Sequence, residues 1–491
     1  MIHNGRGISR RRWLRSVMMG GPAALAGLSA AVSCGRGPSK PRPNIILILI
    51  DALRADRLGV YGHTGRCSPA IDAFAAQGTV CERTLAQAPW TQPSMATLFS
   101  SCYPSVHKVL DYGLTRSMKK GRTNKMAVFG DGFSTLAEVL QRHGYDTAGF
   151  ITNFVLSSVY GFSQGFAHYV DMPSRRKTGG DMPGGVLNEE VTAWLQARRD
   201  PRPFFLYLHY MDVHGPYYAR PAFYEPRFAA LSERADKRPL STEEWRGIGY
   251  LAKRQAAPIL ARYPELSRYR EFWSEFYNAG VREMDRIFQD LSRELTRMGV
   301  WEDAYVILTS DHGEAFLEHG YWNHGHGLHQ HQLHVPLILR WPGRLKPGRR
   351  VPAAVRLVDL MPTVLDQLGL PAPREMQGRS LVKEFGGRSA APPPPSLGEG
   401  VKNHALERSL VFGNWKLIVD PEREFKALYR LDRDPGERRN LCEEAPRIAA
   451  DLENRLRRQI AVNQRLAARV TSRDVTLTSD EEDRLRSLGY L

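Results

Sequence analysis

The sequence predicts an α/β fold in which helices cover both faces of a mostly parallel central sheet. Three short apolar runs carry this prediction, at residues 44–50, 204–208 and 305–308. They are rich in β-branched or aromatic residues, a composition typical of strands buried on both faces of a parallel sheet. Segments with apolar residues at helical spacing lie between them, at 134–143 and 276–295. This alternation indicates a sheet sandwiched by helices.

The first residues have the features of an export signal. Five arginines and no acidic residue precede position 34, Arg10 and Arg11 are adjacent, and a weakly apolar stretch follows. This pattern predicts a twin-arginine-type signal peptide over 1–33 and a linker over 34–42. Cys34 follows small residues, as at a lipoprotein processing site. We therefore expect a periplasmic protein, with either lipidation of Cys34 and peripheral membrane association or plain cleavage nearby.

Composition excludes several classes of protein. The 491 residues are 42% hydrophobic and 24% charged, with a net charge of +16, so the chain can form a large core and is not a disordered protein. No stretch reaches the ~18 apolar residues of a membrane-spanning helix. The net positive charge favours anionic substrates. The sequence has no array of basic and aromatic residues that would indicate nucleic-acid binding.

The chain is expected to form one large and one small domain. The large domain covers 43–384, and its charged, irregular stretch at 216–275 predicts a helical insertion. The proline-rich stretch at 385–400 predicts an exposed loop. Residues 401–491 are expected to form a C-terminal α+β subdomain. Its elements are two strand-like segments and a basic amphipathic helix, at 410–419, 425–431 and 446–462.

Polar side chains follow two of the predicted buried strands. Asp51 comes directly after the first strand, and Asp311 and His312 follow the third. In open α/β sheets the carboxyl ends of the strands form the ligand site. Two carboxylates and an imidazole suit one divalent cation, with calcium, magnesium, manganese and zinc all open. The alternative is that the Asp-His pair caps a helix or lies in a solvated loop.

Thr91 is the candidate nucleophile. It lies in the segment W-T-Q-P-S-M-A-T-L at 90–98 and could start a helix whose N-terminal amides face an anion. A cation beside the hydroxyl would lower its pKa and activate it for attack. The alternative is that Thr91 serves only as a helix N-cap.

Ordered motifs recur along most of the chain. They include P-N-I-I-L-I-L-I-D (43–51), L-R-A-D-R-L-G-V-Y-G (53–62), T-S-D-H-G-E (309–314) and Y-R-L-D-R-D-P-G-E-R-R-N-L (429–441). Together with the segment around Thr91, they resemble the sulfatase family of the alkaline-phosphatase-like superfamily. The resemblance runs from about residue 43 to the C-terminus. It implies an alkaline-phosphatase-like fold with a sulfatase-like catalytic domain over 43–384.

The resemblance also implies roles for single residues. Asp51, Asp311 and His312 match the family's metal ligands, which typically hold calcium. Thr91 occupies the position of the nucleophile, which also contacts the metal.

Two histidines match positions that contact the ester. His214, in H-G-P-Y, matches a histidine that contacts the transferred group or the leaving oxygen. His324 falls where many sulfatases carry a lysine that contacts sulfate. The alternative for His324 is a surface histidine in a histidine-rich loop.

The chain departs from the sulfatases that use formylglycine. Their motif begins with Cys or Ser and has Arg four residues later, where this chain has Thr91 and Met95. Threonine cannot be oxidised to an aldehyde because its oxygen-bearing carbon also carries a methyl group, so we expect no formylglycine. Residues 151–154 replace a Lys-Trp-His stretch, and Ala52 replaces a second metal-binding Asp.

These residues favour a metal-dependent hydrolase or transferase of an anionic ester, with phosphate preferred to sulfate. Thr91 would attack, and His214 or His324 would assist the leaving oxygen. Phosphodiesterases and phosphoglycerol or phosphoethanolamine transferases of the superfamily resemble this chain in using a threonine. One alternative is a sulfatase that works without formylglycine. Another is a non-catalytic envelope binding protein of the same fold.

Overall fold

A nine-stranded, mostly parallel sheet forms the centre of the molecule. The structure is a computed structural model, and it describes residues 42–110, 125–172, 184–215, 223, 266–387, 392–402, 405–421, 424–471 and 473–487. The strands are β1 (Ile45–Ile50), β2 (Thr79–Leu85), β3 (Lys125–Val128), β4 (Asp146–Ile151), β5 (His168–Asp171), β6 (Phe204–Tyr210), β7 (Tyr305–Thr309), β8 (Ala315–Phe316), β9 (Trp322–Asn323), β10 (His334–Val335), β11 (Leu337–Arg340), β12 (Arg349–Arg356), β13 (Ser396–Lys402), β14 (Ala405–Phe412), β15 (Trp415–Asp420), β16 (Phe425–Arg430) and β17 (Arg473–Thr476). The α-helices are α1 (Pro69–Ala76), α2 (Thr91–Ser100), α3 (Pro104–His107), α4 (Leu136–Arg142), α5 (Gly184–Ala197), α6 (Leu266–Arg297), α7 (Gln330–Leu333), α8 (Leu360–Gln367), α9 (Val382–Phe385), α10 (Pro446–Ala467) and α11 (Ser479–Ser487).

The order of the strands places β1 in the middle of the sheet. The order is β10-β2-β11-β7-β1-β6-β4-β5, with β12 beside β2. Strands β7, β1, β6, β4 and β5 are parallel to one another. Strand β11 is antiparallel to β7 and to β2. The predicted mostly parallel sheet is confirmed, and its parallel half carries the strand ends that matter for function.

Strand β1 is buried on both faces. Ile45, Leu47 and Leu49 belong to one hydrophobic core, and Ile46, Ile48 and Ile50 belong to another. Helices α2, α4 and α8 contribute to the first core, and α1, α5 and α6 contribute to the second. An apolar residue at every strand position requires cover on both faces, which explains why the run at 44–50 predicted this architecture.

Two predicted helices are present with shifted ends. The helix predicted at 134–143 is α4, and it begins after a capping box. Thr135 Oγ1 accepts a hydrogen bond from Glu138 N (3.1 Å), and the Glu138 carboxylate accepts one from Thr135 N (2.8 Å). The helix predicted at 276–295 starts ten residues earlier, at Leu266. Trp273 and Tyr277, one turn apart, are buried in the same core and continue the apolar stripe.

The C-terminal region differs from the prediction in two places. Strand β13 begins at Ser396, inside the stretch predicted as an exposed loop, and pairs antiparallel with β14. The single strand predicted at 410–419 is a hairpin of β14 and β15. Gly413, with a φ of 60°, turns the chain between them, and glycine adopts this conformation without a steric penalty. Only Gly413 and its neighbour interrupt the apolar pattern, so the turn is hard to recognise from the sequence.

The four-stranded sheet β13–β14–β15–β16 is anchored to the main core. Leu397, Leu410, Leu417 and Leu428 lie in the same hydrophobic cluster as β1 and α2. The described residues from 42 onward form one compact unit. The C-terminal sheet therefore contributes to the packing that supports α2.

Some predicted segments lie outside the described residues. These are the signal peptide, Cys34 and most of the predicted insertion, of which the structure describes residues 223 and 266–275. Among the helices that the structure describes, none combines the length and the apolar character that crossing a membrane requires.

Candidate active site and cation cluster

Two adjacent strands deliver a buried cluster of three side chains. Asp51 directly follows β1, and Asp311 and His312 follow β7 after one intervening residue. Strands β1 and β7 are parallel neighbours, so their carboxyl ends meet. One ligand atom from each of the three side chains lies within 4.8 Å of the others, and all three residues are fully buried. The structure therefore brings the predicted cation ligands together, and they do not lie in a solvated loop.

Thr91 lies beside this cluster. It is the first residue of α2, and the N-cap of this helix is Trp90, whose side chain does not cap the helix. The Thr91 hydroxyl oxygen is 3.4 Å from Asp51 Oδ2 and 3.3 Å from His312 Nε2. The alternative in which Thr91 is only an N-cap is therefore wrong, because its hydroxyl faces the cluster.

The donor atoms of the cluster fit a divalent cation. Among the residues that the structure describes, Asp51 Oδ1 and Asp311 Oδ2 have no hydrogen-bond partner, and these buried oxygens lie 3.3 Å and 3.4 Å from His312 Nε2. His312 Nδ1 is 2.8 Å from the Gly313 carbonyl, so it carries the proton of the neutral ring and leaves the Nε2 lone pair available. Buried carboxylate oxygens without a donor are costly, and a cation would satisfy both.

The electrostatics of the cluster also demand a positive charge. Burial alone would raise the pKa of Asp51, but the nearby charge of His214, the hydrogen bond from His209 and the contact with His312 hold it well below its usual value. Burial and the Asp51 charge raise the pKa of Asp311. Burial opposes protonation of His312, yet the two carboxylates outweigh it and raise its pKa to about 9.

Two further histidine rings lie close to His312. The ring centre of His324 is 4.4 Å from that of His312 and 4.7 Å from that of His214. His324 is 7% exposed and His214 is 2% exposed. The alternative of a surface histidine at 324 is therefore wrong. His324 Nδ1 lies 3.3 Å from a carboxylate oxygen of the buried Glu314, a contact that sequence analysis missed.

Sequence analysis also missed two neighbours of Asp51. Asn153 Nδ2 donates to Asp51 Oδ2 at 2.7 Å, and His209 Nε2 lies 3.1 Å from the same oxygen. The signal for His209 was a single histidine in an otherwise apolar and aromatic strand. Asn153 lies in the stretch that was noted only for its missing cationic residues.

Fold and site together define an α/β protein with a buried cluster of two carboxylates and an imidazole, able to hold a cation, at the carboxyl edge of its sheet. The family model for sulfatases ("Sulfatase") matches residues 43–370. The chain therefore belongs to the sulfatase family and is an ester hydrolase. This membership favours an enzyme over the alternative of a non-catalytic binding protein.

Curated relatives are named sulfatases. Arylsulfatase K of Rattus norvegicus is 25% identical over 468 residues, covering 84% of this chain and 77% of the relative. Delta 4,5-hexuronate-2-O-sulfatase of Bacteroides thetaiotaomicron is 22% identical over 440 residues, covering 84% and 87%.

Solved structures share the fold. The phosphonate monoester hydrolase of Agrobacterium radiobacter superposes with a TM-score of 0.66 at 21% identity, covering 90% of this chain and 99% of that one. A protein solved with its substrate D-glucosamine-2-N,6-O-disulfate gives a TM-score of 0.69 at 19% identity, covering 86% and 98%.

Proposed function

We propose that this chain hydrolyses a sulfate ester, with Thr91 as nucleophile and no formylglycine. One observation carries the proposal: the Thr91 hydroxyl lies against the buried cluster of Asp51, Asp311 and His312. The names of the sequence relatives favour sulfate over the phosphate preferred from the residues alone.

Asp51, Asp311 and His312 would hold one divalent cation, with Thr91 at its side. Such a cation supplies Lewis-acid stabilisation of negative charge on the Thr91 oxygen and on the ester. Thr91 Oγ1 loses its proton to solvent and forms a bond to sulfur while the bond from sulfur to the alcohol oxygen breaks. Water then cleaves the threonine sulfate, releases sulfate and restores the hydroxyl.

His214 and His324 are the candidates for donating a proton to the leaving oxygen. Both rings are buried, and His324 lies between His214 and His312 with its ring tilted against each of theirs. Glu314 lies against Nδ1 of His324, which orients Nε2 of that ring away from the carboxylate. An imidazole that is fixed in this way is a suitable general acid near neutral pH.

The charge of the site favours an ester with a single negative charge. Position 95 and the stretch 151–154, where the resemblance places cationic contacts, hold Met and Ile-Thr-Asn-Phe. Two buried carboxylates already offset the charge of one divalent cation, so a dianionic phosphate monoester would meet a nearly neutral site. A sulfate ester carries one negative charge and fits this balance better.

A second candidate substrate is a monoanionic phosphorus ester, either a phosphodiester or a phosphonate monoester. The observation that favours it is Thr91 itself, because a threonine hydroxyl needs no oxidation to act as a nucleophile. The shared fold with a phosphonate monoester hydrolase is compatible with this candidate. This second candidate includes transfer of the phosphorus group to an acceptor alcohol instead of to water.

We also propose that this protein is exported. The basic segment before residue 34 and the small residues before Cys34 support a periplasmic or membrane-anchored protein. The mass of the mature N-terminus tests this, because an unmodified Cys34 or cleavage elsewhere would exclude the lipid anchor.

Parallel assays on the metal-loaded protein test the substrate class. We expect turnover of an aryl sulfate, weaker turnover of a phosphonate monoester or phosphodiester, and the weakest turnover of a phosphate monoester. Thr91→Ala should lower turnover by roughly a thousandfold or more, the scale expected when a nucleophile is removed, while Thr91→Ser should keep part of it. Full activity in Thr91→Ala would refute the nucleophile, and phosphorus esters turning over faster than sulfate would establish the second candidate.

A further inference from the structure

The two oxygens of Asp51 have different surroundings. Oδ2 lies 2.7 Å from Asn153 Nδ2 and 3.1 Å from His209 Nε2. Oδ1 has no hydrogen-bond partner among the described residues and lies 3.3 Å from His312 Nε2. Neutral donors therefore hold Oδ2 of Asp51, whereas Oδ1 faces the cluster.

The Tyr207 hydroxyl selects one tautomer of His209. Both residues lie on β6, two positions apart, and therefore share a face of the strand. The Tyr207 hydroxyl is 2.7 Å from His209 Nδ1. A carboxylate oxygen accepts hydrogen bonds, so the contact with Asp51 Oδ2 assigns the proton to His209 Nε2, and Nδ1 accepts from Tyr207. Burial raises the pKa of Tyr207 well above 10, which keeps its hydroxyl protonated.

Asn153 is fixed in a similar way. Its amide oxygen accepts a hydrogen bond from Val155 N (3.0 Å) at the start of a short 3₁₀ turn. This contact orients the amide, so its nitrogen faces Asp51. Asn153 is fully buried, as are Tyr207 and His209.

Asp311 shows the same division between its oxygens. Its Oδ1 accepts from His312 N (3.0 Å) and from Ala52 N (3.3 Å), whereas Oδ2 has no hydrogen-bond partner among the described residues. Ala52 stands where the resemblance expects a second carboxylate, and its backbone amide holds Asp311 instead. The cluster thus offers one unpaired oxygen from each of two fixed carboxylates.

We propose that Tyr207, His209 and Asn153 are positioning residues that restrict Asp51 to binding the cation through one oxygen. This inference rests on the proposed cation site. The three residues add hydrogen bonds but no charge, so they fix the geometry without changing the charge balance. Removing a donor frees the carboxylate to turn and present both oxygens, an arrangement that calcium accepts more readily than smaller cations. The expected signature is therefore a change in cation preference as well as a loss of affinity.

The test is calorimetric titration of the metal-free protein with Mn²⁺ alone and with Ca²⁺ alone. In His209→Leu and in Asn153→Leu, we expect Mn²⁺ affinity to fall about 10–100-fold, the usual effect of losing a residue that supports a metal ligand. Ca²⁺ affinity should fall less, so the Mn²⁺/Ca²⁺ ratio decreases. His209→Gln keeps an N–H donor and should restore most of the affinity, and Tyr207→Phe should give a smaller loss.

The matched control is His107→Leu. His107 is also a buried imidazole bonded to a hydroxyl, that of Thr97 at 3.0 Å, but it does not contact the cluster. Circular dichroism and thermal unfolding confirm that each variant is folded, and Tyr207→Phe and His209→Gln carry the test if the leucine variants are not. Unchanged Mn²⁺ affinity, equal losses for Mn²⁺ and Ca²⁺, or the same loss in the control would overturn the inference. A wild-type chain that binds neither cation would overturn the proposed function itself.

Discussion

At the scale of single residues, His312 sets the charge balance of the site. Its Nε2 lies between one unpaired oxygen of Asp51 and one of Asp311. Without a cation, the most favourable arrangement places a proton on this nitrogen, which is why the pKa of His312 rises to about 9. A divalent cation bound at the proposed site would therefore compete with a proton for the same atom.

Cation affinity should consequently increase with pH. The folded chain holds the His312 proton at neutral pH, and a cation must displace it to use Nε2. We expect the apparent association constant to rise about tenfold per pH unit from pH 7 to pH 9 and then to level off. Calorimetry in buffers of different ionisation enthalpy measures the proton released. Binding at pH 7 that releases no proton would contradict this.

At the scale of elements, α3 braces the helix that carries Thr91. Thr97, on α2, lies 3.0 Å from His107 Nε2 at the end of α3. His107 Nδ1 accepts a hydrogen bond from Val109 N (3.2 Å), so the proton of the neutral ring is on Nε2. Protonation would place a second proton on Nδ1 and break that bond. Burial lowers the pKa of His107 to about 3.

This contact predicts a stability loss in acid. The folded pKa of His107 lies below the unfolded value of about 6.5, so the unfolded chain binds the proton first as pH falls. His107 therefore stabilises the fold fully above pH ~6.5, and its contribution decreases by up to about 1.4 kcal/mol per pH unit between pH ~6.5 and ~3. Urea unfolding from pH 7 to pH 4 should show a shallower slope for His107→Gln. An identical slope for both proteins would exclude the role.

At the scale of the whole molecule, a buried ion pair connects the C-terminal sheet to the loop after His324. Lys416, on β15, lies 2.7 Å from a carboxylate oxygen of Glu437, and both residues are buried. Glu437 also accepts a hydrogen bond from Gln330 N (2.6 Å), at the start of α7. The C-terminal sheet thus supports the segment that returns from the candidate active site.

Breaking this pair should destabilise the protein as a whole. Lys416→Met leaves the Glu437 carboxylate buried without its cation, which typically costs about 3–5 kcal/mol. Lys416→Met combined with Glu437→Gln removes the unpaired charge and should recover part of that loss. Urea unfolding of both variants measures the difference. Equal stability of the single variant and the wild type would show that the pair contributes nothing.

The sequence predicted best those features that depend on residues next to one another in the chain. A short run of apolar residues followed directly by Asp51 predicts both a buried strand and a residue at its end. The ends of the C-terminal strands were harder to predict, because β13 follows a run of prolines and the β14–β15 turn interrupts the apolar pattern only at Gly413 and its neighbour.

Chain order and residue type alone determined the parallel sheet, the family and the candidate cation ligands, because these depend on residues next to one another or on ordered motifs. Tertiary structure alone decided that Thr91 faces the cluster, that His324 is buried, and that His209 and Asn153 hold one oxygen of Asp51. These contacts join residues from separate strands and loops. Their geometry depends on how the sheet edge packs, and spacing along the chain does not encode it.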